Sequence, residues 1–191
     1  MKNLITYILL AAVLAMVSIT WSTDKDPKQD ASTKKLDSMA SAAAAVSSTI
    51  RWMKYDEGLA LAKKLNKKVL VEFTAKWCGW CKKMQATTFK DTGVISLIDK
   101  YFVPVSVDGD SKDTLNIEGW LTTEAGLTKD TYRVSGYPTF WFLTSTGDMI
   151  APLSGYREAP VLLDILDYLK DDQYKTVTFQ AYMDDKNKKK N

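Results

Sequence analysis

The sequence predicts an α/β domain, and three observations predict it. Apolar residues recur at helical spacing over 51–65, 91–101 and 160–169. Short runs rich in β-branched and aromatic residues, 69–73, 103–107 and 139–143, alternate with those helices and have the length of buried strands. The two cysteines of the chain, Cys78 and Cys81, follow the first of these runs with two residues between them. With 191 residues, 46% of them hydrophobic, one domain with one core is expected, and segments are left over.

Over 51–65, Trp52, Tyr55, Leu59, Ala62 and Leu65 mark one face of an amphipathic helix. Asp56 and Glu57 lie in its first half and Lys63 and Lys64 at its end, as the helix dipole favours. Val69, Leu70, Val71, Glu72 and Phe73 read as a buried strand, and 82–88 reads as a helix. Asp91 is placed to cap a helix through Tyr101, with Val94, Leu97, Ile98 and Tyr101 on one face. Val103, Val105 and Val107 alternate as the next strand. Pro104 has no N–H to give to a ladder, which makes this an edge strand or a bulged one. The connection 109–130 carries Trp120, Leu121 and Leu127 among polar residues and has two readings. One is a helical insertion packed beside the cysteines; the other is a surface elaboration that only covers the sheet. An aromatic strand over 139–143, a turn with Gly147 and a strand over 149–153 follow. Pro160 opens a last helix that turns Leu162, Ile165, Leu166 and Leu169 toward the sheet.

The cysteine spacing narrows the chemistry. Zinc takes four ligands, usually Cys or His, and the chain has two cysteines and no histidine. Haem attachment would need His after the second cysteine, where Lys82 stands. A static disulfide closing four residues would stabilise a fold poorly, because the effect grows with loop length. Redox cycling of a dithiol is the reading that remains, and it implies no metal or organic cofactor. Cys78 falls at a helix N-terminus, where unpaired N–H groups and the dipole stabilise a thiolate. Cys81, one turn in, is expected to be more buried and to keep its proton, which makes Cys78 the attacking sulfur and Cys81 the resolving one.

Two separated stretches carry a family resemblance. Val71-Glu72-Phe73-Thr74-Ala75-Lys76-Trp77-Cys78-Gly79-Trp80-Cys81-Lys82 resembles the active-site segment of the thioredoxin superfamily. Arg133-Val134-Ser135-Gly136-Tyr137-Pro138-Thr139-Phe140 resembles the cis-proline segment of the same superfamily. Within it, the chain is most similar to exported thioredoxin-like proteins and to the C-terminal domain of periplasmic thiol-disulfide interchange reductases, whose active-site helix is followed by a segment like Thr88-Phe89-Lys90-Asp91. The resemblance spans roughly 50–170.

It implies a thioredoxin-like fold, a central mixed sheet flanked by helices. It implies a cis bond before Pro138, which would set this proline against the cysteine pair and expose Tyr137 backbone groups to an extended substrate, a form of strand addition. It assigns Glu72 to the position of an acid that lies beneath the second cysteine and assists its deprotonation through water; many members have Asp there. The alternation of strand faces agrees with this, since Glu72 points opposite Val71 and Phe73, and a carboxyl buried there has a raised pKa. Trp77 and Trp80 would shield the pair and offer apolar contact to a partner.

At the N-terminal end, Lys2 and the apolar run from Leu4 to Ile19 make 1–21 a signal peptide or an N-terminal membrane anchor. Residues 22–49, rich in Ser, Ala, Lys and Asp, are a flexible linker. The domain is expected over 50–170, and 171–191 is expected to be a charged, solvated tail. The net charge of +3 is too small to argue for nucleic acid. The whole reads as an exported thiol-disulfide oxidoreductase, periplasmic or otherwise extracytoplasmic, soluble or tethered. Gly79 and Trp80 place no positive charge between the cysteines, which favours a reductant of protein disulfides recharged by a membrane thiol reductase. A disulfide oxidase or isomerase, and a protein-binding module with incidental redox activity, are the alternatives.

Overall fold

The computed structural model describes residues 48–189. The segment expected to be a signal peptide or anchor, 1–21, and nearly all of the expected linker, 22–49, lie outside the described residues. The described chain folds around a mixed four-stranded sheet in the order β2-β1-β5-β6, where β1 is Lys68–Thr74, β2 Phe102–Asp108, β5 Thr139–Leu143 and β6 Met149–Ser154. β1 runs parallel to β2 and antiparallel to β5, and β5 pairs antiparallel with β6.

Alternation along β1 supplies both faces of the sheet with apolar side chains. Val69, Val71 and Phe73 join Val103, Val105 and Val107 of β2 on one face, beneath Tyr55 and Ala62 of helix α1, Tyr55–Leu65. Leu70, Phe140 and Phe142 form the other core with Met84 of α2, Gly79–Ala86, with Val94 and Ile98 of α3, Thr92–Tyr101, and with Leu162, Leu166 and Leu169 of α4, Ala159–Lys170. Each large side chain buried in this way contributes on the order of 1.5–3 kcal/mol. The Asp91 carboxylate caps α3 by accepting from the Val94 N–H at 3.0 Å. Pro160 sits in the first turn of α4. Both agree with the sequence.

Three expectations are corrected. Helix α1 begins at Tyr55 rather than 51, because the backbone of Met53 instead lies along β2: its N–H donates to Pro104 and its carbonyl accepts from Ser106. Trp52 therefore leaves the helix face of Tyr55 and packs edge-on against Phe89 in the opposite core. Helix α2 spans Gly79–Ala86, three residues earlier than expected, because the chain turns directly at Cys78.

The connection after β2 is not mainly helical. It forms a two-residue hairpin, β3 Thr114–Ile117 and β4 Trp120–Thr123, turned by Glu118 and Gly119, both at positive φ. A short helical stretch follows over Glu124–Gly126 and Leu127–Thr131. Leu115 and Leu127 are buried, while Trp120 and Leu121 are exposed. The end of this segment is fixed by Tyr132, whose hydroxyl pairs with that of Tyr55 at 2.6 Å inside the core.

The charged C-terminal segment is not simply solvated. Helix α5, Phe179–Lys188, is capped by Thr178 and folds back on α4. Phe179 meets the Tyr168 ring edge-on and Tyr182 meets it tilted, and Lys186 bridges Asp164 and Asp167 at 2.7 and 3.2 Å. A pair of acids on one helix face, three residues apart, makes a seat for one ammonium group. No helix among the described residues is long and apolar enough to cross a membrane.

Candidate active site

The strand β1 ends at Thr74, and four residues later the chain enters α2. Cys78 is the N-cap of that helix, and Cys81 lies one turn in. The two form a disulfide with Cα atoms 5.3 Å apart. A helix start leaves N–H groups without intrahelical acceptors, and here one of them is aimed at sulfur: the Cys81 N–H donates to Cys78 Sγ at 3.0 Å. The expected difference in burial is absent, since both cysteines are 3% exposed. The asymmetry of the pair lies instead in the backbone, which offers its donor to Cys78.

Glu72 is fully buried on the face of β1 that carries Leu70, between Ser106 of β2 and Phe140 of β5 in the strand register. Its Oε2 accepts from Gln85 Nε2 at 2.9 Å, and its Oε1 has no partner. Removal from water pushes its pKa up to about 8, against the smaller opposing effect of the Gln85 hydrogen bond. Gln85 follows Cys81 by four residues on α2, so the two side chains share a helix face. Glu72 is thus tied to the face of α2 that carries Cys81.

The bond between Tyr137 and Pro138 is cis. Pro138 is buried, and its carbonyl accepts from the Gly155 N–H at 2.7 Å, which fixes the loop to the end of β6. Tyr137 packs against the core formed by Ala75, Cys78 and Cys81. Its ring meets Trp77 edge-on at 5.6 Å. Burial, with Asp110 and Asp108 nearby, raises the pKa of its hydroxyl. Trp77 and Trp80 are 68% and 57% exposed, so neither belongs to the core.

The family model for the thioredoxin-like domain matches residues 55–170. The chain belongs to that family. It is 30% identical over 113 residues to a protein disulfide-isomerase of Medicago sativa, covering 59% of this chain and 19% of the relative. It is 32% identical over 108 residues to the thiol:disulfide interchange protein DsbD of Vibrio vulnificus, covering 56% of this chain and 16% of that protein. The matched part is thus under a fifth of the length of these curated relatives. Among solved structures, a thioredoxin from Thermus thermophilus superposes with a TM-score of 0.53 at 32% identity, over 63% of this chain and 87% of that one.

Within this thioredoxin-like domain, the sequence-expected residues fall into two groups. Cys78, Cys81, Trp77 and Tyr137 meet at one end of the sheet, with Pro138 joined to Tyr137 by the cis bond, and Glu72 is tied to α2 through Gln85. Trp80 turns away from Tyr137 and pairs with Tyr156 at 5.5 Å, and the Lys83 ammonium lies 5.0 and 4.8 Å from the two ring centres. Sequence reasoning missed Gln85, Tyr156 and Asp110. Asp110 accepts from the Trp77 indole N–H at 2.6 Å, so the start of the inserted segment reaches the cysteine loop. None of the three carries a motif signal. Each is recruited from an exposed or half-buried position by a contact distant in sequence.

Proposed function

We propose that this chain is an exported reductant of protein disulfides that works through the Cys78/Cys81 dithiol. In the reduced form the Cys78 thiolate attacks one sulfur of a substrate disulfide. A mixed disulfide forms and the other substrate sulfur leaves as a thiolate. Cys81, deprotonated toward Glu72, then attacks Cys78 Sγ. The substrate leaves as a dithiol; its two electrons come from the protein dithiol, which is left oxidised as the Cys78–Cys81 disulfide.

The observation that carries this reading is the N–H of Cys81 directed at Cys78 Sγ from a helix start, which stabilises negative charge on that sulfur. Trp77, Trp80, Tyr137 and Pro138 are the residues we assign to substrate contact. No backbone hydrogen bond of Tyr137 is found among the described residues, which leaves its N–H and carbonyl for an extended peptide. The reductant direction rests on Gly79 and Trp80, which bring no cation between the cysteines. Export rests on Lys2 and the apolar run Leu4 to Ile19, and with it a membrane thiol reductase is the implied electron donor. The organisation 1–21, 22–49, 50–170 and 171–191 belongs to the same proposal.

A second reading, disulfide isomerase, is favoured by the names of several relatives, among them the Medicago sativa protein. Equilibration of the purified chain with glutathione separates the two. A couple near the reducing thioredoxins, about −270 mV, supports the reductant; one near protein disulfide isomerase, about −180 mV, overturns it. Export is tested apart from direction. A reporter active only in the cytoplasm, fused after Asn191, is expected to stay dark, and a bright one overturns the localisation.

A further inference from the structure

Glu72 has a neighbour whose role the dithiol cycle has not yet used. A carboxyl with no exposed surface is held neutral by its surroundings unless something donates to its charged form. For Glu72 the donor is Gln85, at 2.9 Å from one oxygen, while the second oxygen is buried and unpartnered. Gln85 is itself exposed. It lines an open cleft with Thr74, Lys76, Cys81, Lys82 and Asp108, so one side chain touches both the buried acid and the solvent beside the resolving cysteine.

We propose that Gln85 is a positioning residue for the redox pair: its amide holds one oxygen of the Glu72 carboxyl, leaves the other free to exchange a proton, and lets that buried carboxyl ionise.

Geometry supplies the argument. Cys81 and Gln85 are one turn apart on the same face of α2, and Glu72 approaches that face from β1. A hydrogen bond to a charged acceptor is among the stronger ones, and inside the protein it has no competition from water. The strand neighbours of Glu72, Ser106 and Phe140, carry no charge. The charged or titratable side chains around it are Cys81, Lys82 and Lys83 on α2 and Lys76, Lys90 and Asp108 at the cleft, and none of them hydrogen-bonds the Glu72 carboxyl, which among the described residues is held by Gln85 alone. Gln85 is therefore the neighbour through which a mutation can move the Glu72 proton without altering the acid itself. This rests on the role given to Glu72 in the dithiol cycle, and the test keeps the two apart.

The experiment uses the full chain labelled with 13C-carboxyl glutamate, with the Glu72 signal assigned by its loss in Glu72→Gln. In Gln85→Met, of similar length but without a donor, the Glu72 midpoint is expected to rise by about one pH unit, so that its ionised fraction at neutral pH falls about tenfold. Gln85→Ala, at an exposed helical site that tolerates alanine, serves if the methionine variant folds poorly, with the same expected shift. The rate of mixed-disulfide resolution by Cys81 should fall in parallel, and Gln85→Met should add nothing in a Glu72→Gln background. A Glu72 midpoint unmoved in both Gln85 variants overturns the proposal. A shifted midpoint with an unchanged resolving rate overturns it in a different way: Gln85 then tunes the Glu72 proton, but Glu72 has no part in the cycle and Gln85 positions nothing for the redox pair.

Discussion

The hydroxyl of Tyr137 occupies the space that a Cβ on residue 109 would need. Gly109 begins the inserted segment directly after β2, and its N–H donates to the Thr74 carbonyl at 2.8 Å at the end of β1. The absence of a side chain there lets the aromatic ring beside the disulfide settle onto the end of the sheet. Gly109→Ala is expected to displace the Tyr137 ring and to cost about 1–3 kcal/mol, as overpacking does. In a Tyr137→Ala background the clash is gone, so Gly109→Ala should cost little there and the double variant should be about as stable as Tyr137→Ala alone. Chemical denaturation of the four proteins checks this; additive losses would mean that the two residues do not compete for space.

Trapping tests the order of attack. Cys81→Ser is expected to accumulate covalent complexes with substrate, because the resolving thiol is gone, whereas Cys78→Ser should accumulate none. Acid-quenched samples on non-reducing gels give the answer, and equal trapping by both variants would reverse or abolish the assignment.

The buried acid also makes stability depend on pH. Glu72 holds its proton in the fold up to about pH 8, while in the unfolded chain it loses it near 4.5. Between these values the unfolded state binds fewer protons than the folded one, so stability falls as pH rises and levels off above about 8. Glu72→Gln removes this loss, and an amide at 72 still finds the Gln85 amide as a partner. The oxidised variant is expected to match wild type near pH 4.5 and to exceed it by up to about 3 kcal/mol at neutral pH. Urea titrations at three pH values measure the gap. A gap that stays constant with pH would place the ionisation elsewhere.

Much of this architecture was legible in the chain. The run from Val69 to Phe73 has only one polar residue, and two-sided burial in a central strand explains that composition. Glu72 was legible for the same reason, as the single polar residue within that run. The hairpin over β3 and β4 was less legible, because each of its strands has four residues and only one carries a fully buried side chain. Its usable signal was Gly119 at a two-residue turn flanked by alternating apolar residues. Helix α1 was read four residues too long, because Trp52 falls on the helical period although it packs in the opposite core. Gln85 and Asp110 were not legible at all. Their partners lie 13 and 33 residues away, and periodicity reports only neighbours within one element.

The docked C-terminal helix gives a prediction of its own. A chain ending at Lys175 loses the ring contacts of Phe179 and Tyr182 with Tyr168, the Tyr168 hydroxyl bond to the Val177 carbonyl and the Lys186 ion pairs. Stability is expected to fall by about 1–3 kcal/mol, most of it from the aromatic contacts. Lys186→Met alone should cost about 1 kcal/mol or less, and that cost should shrink in high salt. Thermal melts of both proteins, with and without added salt, check the split; a truncated chain as stable as the full one would show that α5 contributes no packing.

Both margins of the four-stranded sheet are blunted. On β2, the backbone of Met53 already holds Pro104 and Ser106, and on β6 an exposed proline, Pro152, interrupts the row of outward donors. A sheet closed off in this way resists lateral joining to other strands, the route by which β-rich proteins clump. This would matter for the proposed function, in which substrates include partly unfolded chains. Such a chain finds little ladder to extend along the flanks, so its extended segment is left to the loop beside the cysteines, where a bound strand is also a strand in reach of sulfur.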